Sequence, residues 1–126
     1  MILLIEPDLV LAKIYSNALN AVGYEITFMG QAQSAILALD AQLPDLIILE
    51  PQLVGHSGIE FLYELRSYAD LQNIPVLMHS FVQLEAFNQS REVLRTLNVV
   101  GYLYKPQTSL QQLITLVQTM PKLAIK

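Results

Sequence analysis

Four residues stand where chemistry could be done: Glu6, Glu50, Ser80 and Lys105. Each closes a short apolar run. Ile2-Leu-Leu-Ile leads into Glu6, Leu46-Ile-Ile-Leu into Glu50, Pro75-Val-Leu-Met through His79 to Ser80, and Val99–Tyr104 into Lys105. Runs of four to six apolar residues are the look of strands buried on both faces of a parallel sheet. Any one polar residue at such a strand end has an ordinary reading, since the chain simply meets water there. Together they are two carboxylates, a hydroxyl and an ammonium. In an open parallel sheet, strand ends of one polarity share a rim, and ligand sites form outside the carboxyl ends near the point where strand order reverses.

The elements that must position them can be read from apolar spacing. Between the first and second strands, Val10, Leu11, Ile14, Tyr15, Ala18, Leu19 and Val22 recur at one, three and four residues, the stripe of a helix face. Asp8 can cap its start and Gly23 its end. A second strand is expected at about Tyr24–Phe28, then a helix with Ala32, Ile36, Leu39 and Leu43 on one face, then the third strand at Asp45–Leu49. Ser57-Gly-Ile-Glu60 has the capping-box pattern and opens a helix burying Phe61, Leu62 and Leu65. The fourth strand is Pro75–Met78, the fourth helix spans Leu84–Leu97 less regularly, and the fifth strand is Val99–Tyr104. Ser109-Leu-Gln-Gln112 caps a last helix with Leu110, Leu113, Ile114 and Val117 on one side, stopped by Pro121. Five strand–helix units in succession predict an α/β, doubly wound parallel sheet. We expect one domain over residues 1–120 and a short tail over 121–126.

Composition excludes several classes. The chain has 126 residues, 53% hydrophobic and only 14% charged, with no cysteine and a formal net charge of −4. No apolar run approaches the roughly 20 residues of a spanning helix, so membrane insertion is not expected. The N-terminal run lacks the basic flank of a signal peptide. Without cysteine there is no disulfide framework or thiolate zinc site, which suits a reducing cytoplasm. Seven Lys and Arg in an acidic chain argue against a nucleic-acid surface. No glycine-rich phosphate loop follows the first strand, which disfavours a nucleotide carrier.

Taken in order, the strand ends resemble the receiver domain of two-component response regulators over nearly the whole chain. Pro44-Asp-Leu-Ile-Ile-Leu-Glu50 is similar to the strand carrying the phosphoacceptor, and Gly55-His-Ser-Gly58 to the turn after it. Ile74-Pro-Val-Leu-Met-His-Ser80 is similar to the strand ending in a conformation-sensing hydroxyl. Gly101-Tyr-Leu-Tyr-Lys-Pro106 is similar to the fifth strand, with a switch aromatic at Tyr102 beside Tyr104 and the Lys105–Pro106 pair. The resemblance implies a flavodoxin-like sheet of order 2-1-3-4-5 and a site normally built on aspartate and magnesium. It also implies a cis bond between Lys105 and Pro106 in the manner of relatives.

The departures from that pattern carry the functional reading. Glu50 stands where the family has its phosphorylated aspartate, and the paired acids after the first strand have become Glu6-Pro7. Magnesium needs near-octahedral oxygen coordination, so its binding should be weak or absent; the alternative set is Glu6, Asp8 and Glu50, although Asp8 is better placed to cap the helix. Phe81 replaces a small residue that leaves a path for the phosphodonor, and Pro51 and Val54 mark a rebuilt loop. We therefore expect no catalysis. The expected function is that of a stand-alone pseudo-receiver in signal transduction, acting by protein contact without phosphorylation. The alternative is a receiver still phosphorylated on Glu50.

Glu50 itself has two open readings. With Lys105 and the Ser80 hydroxyl it could partly imitate the phosphorylated state, or it could form a plain ion pair with Lys105. Tyr102 and His79 are expected as packing residues, and His56 as an exposed loop residue. Partners should be signalling proteins, a histidine kinase or another regulator. The fourth helix, fifth strand and fifth helix offer a weakly charged face, rich in glutamine, through which a homodimer could form.

Overall fold

Parallel pairing of short apolar runs builds the centre of the molecule. The computed structural model describes residues 1–53, 57–87 and 90–120. The strands are β1 (Ile2–Ile5), β2 (Ile26–Met29), β3 (Leu46–Leu49), β4 (Val76–Ser80) and β5 (Val99–Tyr104), in the order β2-β1-β3-β4-β5. The helices are α1 (Leu9–Ala21), α2 (Ala32–Ala41), α3 (Gly58–Arg66), α4 (Arg91–Thr96) and α5 (Leu110–Gln118). Every residue of β1, β3 and β4 is buried, as strands covered by helices on both faces must be. One core lies between the sheet and α2, α3 and α4, with Phe61, Leu62 and Leu65 at its heart. The other, between the sheet and α1 and α5, holds Ala12, Leu19, Leu113 and Val117.

Helix ends follow local chemistry. Asp8 accepts from the Val10 and Leu11 N–H groups and starts α1; Gly23, at φ 103°, takes the left-handed conformation beyond its end. Ser57 accepts from Ile59 N–H at α3, and Ser109 with Gln112 forms a complete capping box at α5. Gly58 is required by space: a Cβ there would lie 2.3 Å from Pro51 Cα, because its N–H donates to Pro51 O at 2.8 Å. That contact fixes the chain as it leaves β3.

Several expectations are corrected. In α1 the buried residues are Ala12, Ser16 and Leu19, and Tyr15, Ala18 and Val22 of the expected stripe pack against the same core, while Val10 is 67% exposed and Ile14 44% exposed. The buried face is thus the expected one rotated toward Ala12 and Ser16. Leu110 and Leu43 are likewise exposed rather than on a core face. The fourth helix is a 3-10 turn at Leu84–Phe87 followed by the short α4, not one continuous helix. β4 runs two residues further than expected, to Ser80, and β2 is shifted to Ile26–Met29. Among the described residues no cis peptide bond occurs, so the Lys105–Pro106 bond is trans within a 3-10 turn. The expectations for Val54, Gly55, His56, Pro121 and the 121–126 tail lie outside the described residues.

A side chain that the apolar pattern did not single out ties the lower rim. Arg66, ending α3, donates to the carbonyls of Leu97, Leu71 and Ile74, each at 2.7 Å. Burial lowers its pKa from the usual arginine value, but it remains a cation clasping three chain segments. Among the described residues, no helix is long and apolar enough to cross a membrane.

Candidate functional site

Register places the acids. Ile5 pairs with Leu49 across β1 and β3, so the next residues, Glu6 and Glu50, leave the sheet side by side. The Glu50 N–H donates to Ile5 O and the Glu6 N–H to Met29 O, prolonging the parallel ladder by one step. Lys105 follows the end of β5 and is buried with them; its Nζ lies 2.5 Å from Glu6 Oε1 and 3.0 Å from Glu50 Oε1. One ammonium thus serves two carboxylates. Taking charges out of water is costly unless they are paired and hydrogen-bonded, and here every carboxylate oxygen has at least one donor. Glu6 Oε2 accepts from Asp8 N–H at 3.2 Å. Glu50 Oε1 also accepts from Phe81 N–H at 3.1 Å, and Glu50 Oε2 from Gln52 N–H at 3.2 Å.

Burial raises the Glu6 pKa above the usual carboxylate value, with the Lys105 ammonium opposing that rise. Tyr15, on the inner side of α1, is pushed up to about 12 by burial and by the charges of Glu6, Asp8 and Glu50. Its ring meets His79 edge-on, centroids 4.9 Å apart. Burial, aided by Lys105, lowers His79 to about 4, so the imidazole is neutral at pH 7. His79 is packing behind the site.

The aromatic and hydroxyl residues are arranged differently from the expectation. Ser80 is wholly buried, yet its Oγ accepts from Val82 N–H at 3.0 Å and is not a partner of Glu50. Tyr102 is half-buried against the α3–α4 core, and its hydroxyl donates to Val82 O. The segment from Ser80 to Val82 therefore joins Glu50 on one side to Tyr102 on the other. Phe81 is 53% exposed, with its ring 4.7 Å from the Lys105 ammonium. It covers the cation by a cation–π contact. Tyr104 is half-buried and Pro106 exposed.

The donors do not fit a divalent ion. An ammonium lies against both Glu6 and Glu50, Pro7 has no side-chain donor, and Asp8 Oδ1 is turned to the α1 N–H groups. Among the described residues no three His, Cys, Asp or Glu side chains are grouped to hold a metal. The set Glu6, Asp8 and Glu50 does not assemble. What sequence reasoning missed were the backbone donors of Gln52 and Phe81. Residue type cannot reveal them; the available signal was their place just past the strand ends, where N–H groups leave the ladder.

The five-stranded order, the paired acids and the lysine define a class. The chain matches the response regulator receiver domain over residues 2–118 and belongs to that family. It is 38% identical over 77 residues to the probable transcriptional regulatory protein TcrX of Mycobacterium tuberculosis, covering 61% of this chain and 32% of that one. It is 32% identical over 77 residues to the phosphate regulon transcriptional regulatory protein PhoB of Rhizobium meliloti, covering 61% and 34%. The chain thus spans about a third of the length of these curated relatives. A sensor protein from Polaromonas shares the fold at TM-score 0.82 and 19% identity, over 93% of this chain and 91% of that one. A putative response regulator from Chloroflexus aurantiacus does so at 0.78 and 23%, over 93% of each. The chain is therefore a response regulator receiver domain of two-component signalling.

Proposed function

We propose that this receiver is a pseudo-receiver: it acts by binding a signalling partner without being phosphorylated, and Glu50 stands permanently in the role of the modified residue. One observation carries the reading. The Glu50 carboxylate is already held by the Lys105 ammonium and by the N–H groups of Phe81 and Gln52. These three donors converge on an anion, and the anion is part of the protein.

The hydrogen bond to Phe81 N–H fastens the start of the segment whose Val82 carbonyl receives the Tyr102 hydroxyl. A charge of about −1 on Glu50 does part of what a phosphate of about −1.5 to −2 would do. It biases the β4–β5 end of the molecule toward one conformation without input. Imitation runs through backbone N–H groups in place of the Ser80 hydroxyl.

Incubation with acetyl phosphate and magnesium, followed by intact-mass measurement, tests the proposal. The expected result is no added mass. A stoichiometric phosphoryl adduct lost in Glu50→Gln would overturn it in favour of a working phosphoacceptor. The imitation itself is checked by the Tyr102 ring resonances. If Glu50→Gln leaves them unchanged, Glu50 is a structural ion-pair partner only.

A further inference from the structure

Charge is segregated along the chain. Between Lys13 and Arg91 the only Lys or Arg is Arg66, and its fork is taken up by the carbonyls of Leu97, Leu71 and Ile74. The same stretch carries Asp40 on α2, Glu60 and Glu64 on α3, and Asp70 in the 3-10 turn that follows. α2 and α3 cover the same side of the sheet and touch each other. Each follows a strand of a parallel sheet, so the two run side by side in one direction.

The inner stripes of both helices belong to the core: Ala32, Ala35 and Leu39 from α2, and Phe61, Leu62 and Leu65 from α3. Their outer stripes mix apolar groups with acids. Leu37 is 67% exposed, and exposed Asp40 stands three residues beyond it. Tyr63 is 53% exposed, three residues beyond exposed Glu60 and next to half-buried Glu64. Residues three and four apart share a helix face, so each helix sets an apolar side chain beside a carboxylate on its solvent side.

Helix stability does not account for this arrangement. Glu60 and Glu64 are like charges at four-residue spacing, which weakens a helix. Glu64 also lies in the last turn of α3, where the dipole disfavours an anion. Leu37 leaves apolar area in water that burial against a partner would remove.

We infer that the outer face of α2 and α3 binds a basic amphipathic helix of a different protein. Apolar residues of that helix, at three- and four-residue spacing, pack on Leu37 and Tyr63, while its Lys and Arg meet Asp40, Glu60 and Glu64. Charge selects this occupant, because an acidic segment would oppose those carboxylates. A second copy suits the face poorly. Among the described residues its exposed cations are Lys13, alone on α1, and Arg91 and Arg95 on α4. α4 has six residues, about 9 Å of helix, and Glu92 stands between its arginines, with Glu85 in the 3-10 turn before it. The inference rests on the reading that the chain works through protein contact. A phosphoryl adduct would defeat the pseudo-receiver reading alone, whereas this face stands or falls on peptide binding.

The test is selection of phage-displayed random octadecapeptides on the full chain, with selected sequences synthesised and measured by fluorescence anisotropy. Enrichment of Leu, Ile or Phe at helical spacing, flanked by Lys and Arg, is expected, with affinity falling as salt rises. D40N/E60Q/E64Q should weaken binding by about tenfold or more and flatten its salt dependence. Leu37→Ser should weaken it with the salt dependence kept, and R91E/R95E should leave it unchanged. Should the triple variant unfold, E60Q/E64Q supplies the same comparison. The inference is overturned by no enrichment, by selected peptides without Lys or Arg, or by equal affinity for the charge variants. A scrambled peptide of the same composition that binds equally well would also overturn it, since no helical face would then be read. So would a homodimer in sedimentation that D40N/E60Q/E64Q dissociates, because the occupant would be a second copy.

Discussion

The Lys105 ammonium, from the end of β5, lies 3.0 Å from the Glu50 carboxylate at the end of β3, with strand β4 between them in the sheet. It also contacts Glu6 beyond, so one buried cation holds the carboxyl ends of three strands together. Removing one partner of a buried ionic group costs far more than the group adds, because an uncompensated charge is left behind.

Lys105→Met should accordingly destabilise the fold by about 3–5 kcal/mol at pH 7. Part of that loss should return as pH falls, when Glu6, whose pKa burial already raises, takes up a proton. Urea unfolding of the variant at several pH values checks this. Full wild-type stability at pH 7 would mean that the pair is solvent-screened and structurally idle.

His79 gives the pH dependence a definite sign. Its folded pKa of about 4 lies below the usual imidazole value of 6.5, so the unfolded chain binds the extra proton between those values. Stability contributed by the neutral imidazole is complete above pH 6.5 and is lost as pH falls through about 4. The loss is about 3 kcal/mol. Glu6 works in the opposite direction, because its raised pKa makes the folded state the better proton acceptor as pH falls. In His79→Gln, unfolding free energy should vary less between those pH values than in the wild type. An unchanged slope would show that another group governs acid lability.

Gly58→Ala places a Cβ 2.3 Å from Pro51 Cα, with backbone rather than a flexible side chain in the way. Destabilisation of about 1–3 kcal/mol is expected. The Gln52 N–H bond to Glu50 should be disturbed with it, since Pro51 must move. Thermal melting reads the first effect, and the chemical shift of the Gln52 amide reads the second.

Arg66→Ala leaves the carbonyls of Leu71, Ile74 and Leu97 without their shared donor. A loss of about 3 kcal/mol is expected, in the range for hydrogen bonds from a charged group. Arg66→Lys should recover little of it, because a single ammonium lacks the fork that reaches three acceptors. Denaturant midpoints for the two variants decide the matter.

Much of the architecture was legible because fully buried strands impose a composition. Ile2–Ile5 and Leu46–Leu49 have no polar residue, and no other role suits such short runs followed by acids. Capping residues were equally readable, since Asp8, Ser57 and Ser109 act on N–H groups two or three positions away. The buried face of α1 was legible only in part. Tyr15, Ala18, Leu19 and Val22 of the expected stripe meet the core, but the packing there also takes Ala12 and Ser16 in place of Val10 and Ile14.

By itself the sequence determined which residues end the strands, and hence that Glu6, Glu50 and Lys105 would gather on one rim. Parallel order and the two-residue strand period leave little freedom in that. Tertiary structure decided who bonds to whom. Ser80 turned to Val82, Lys105 settled between both acids, Phe81 folded over the cation, and backbone N–H groups of Gln52 and Phe81 took the Glu50 oxygens. Those choices depend on loop paths and on competition among donors for the same buried oxygens, which no pattern of residue types encodes locally.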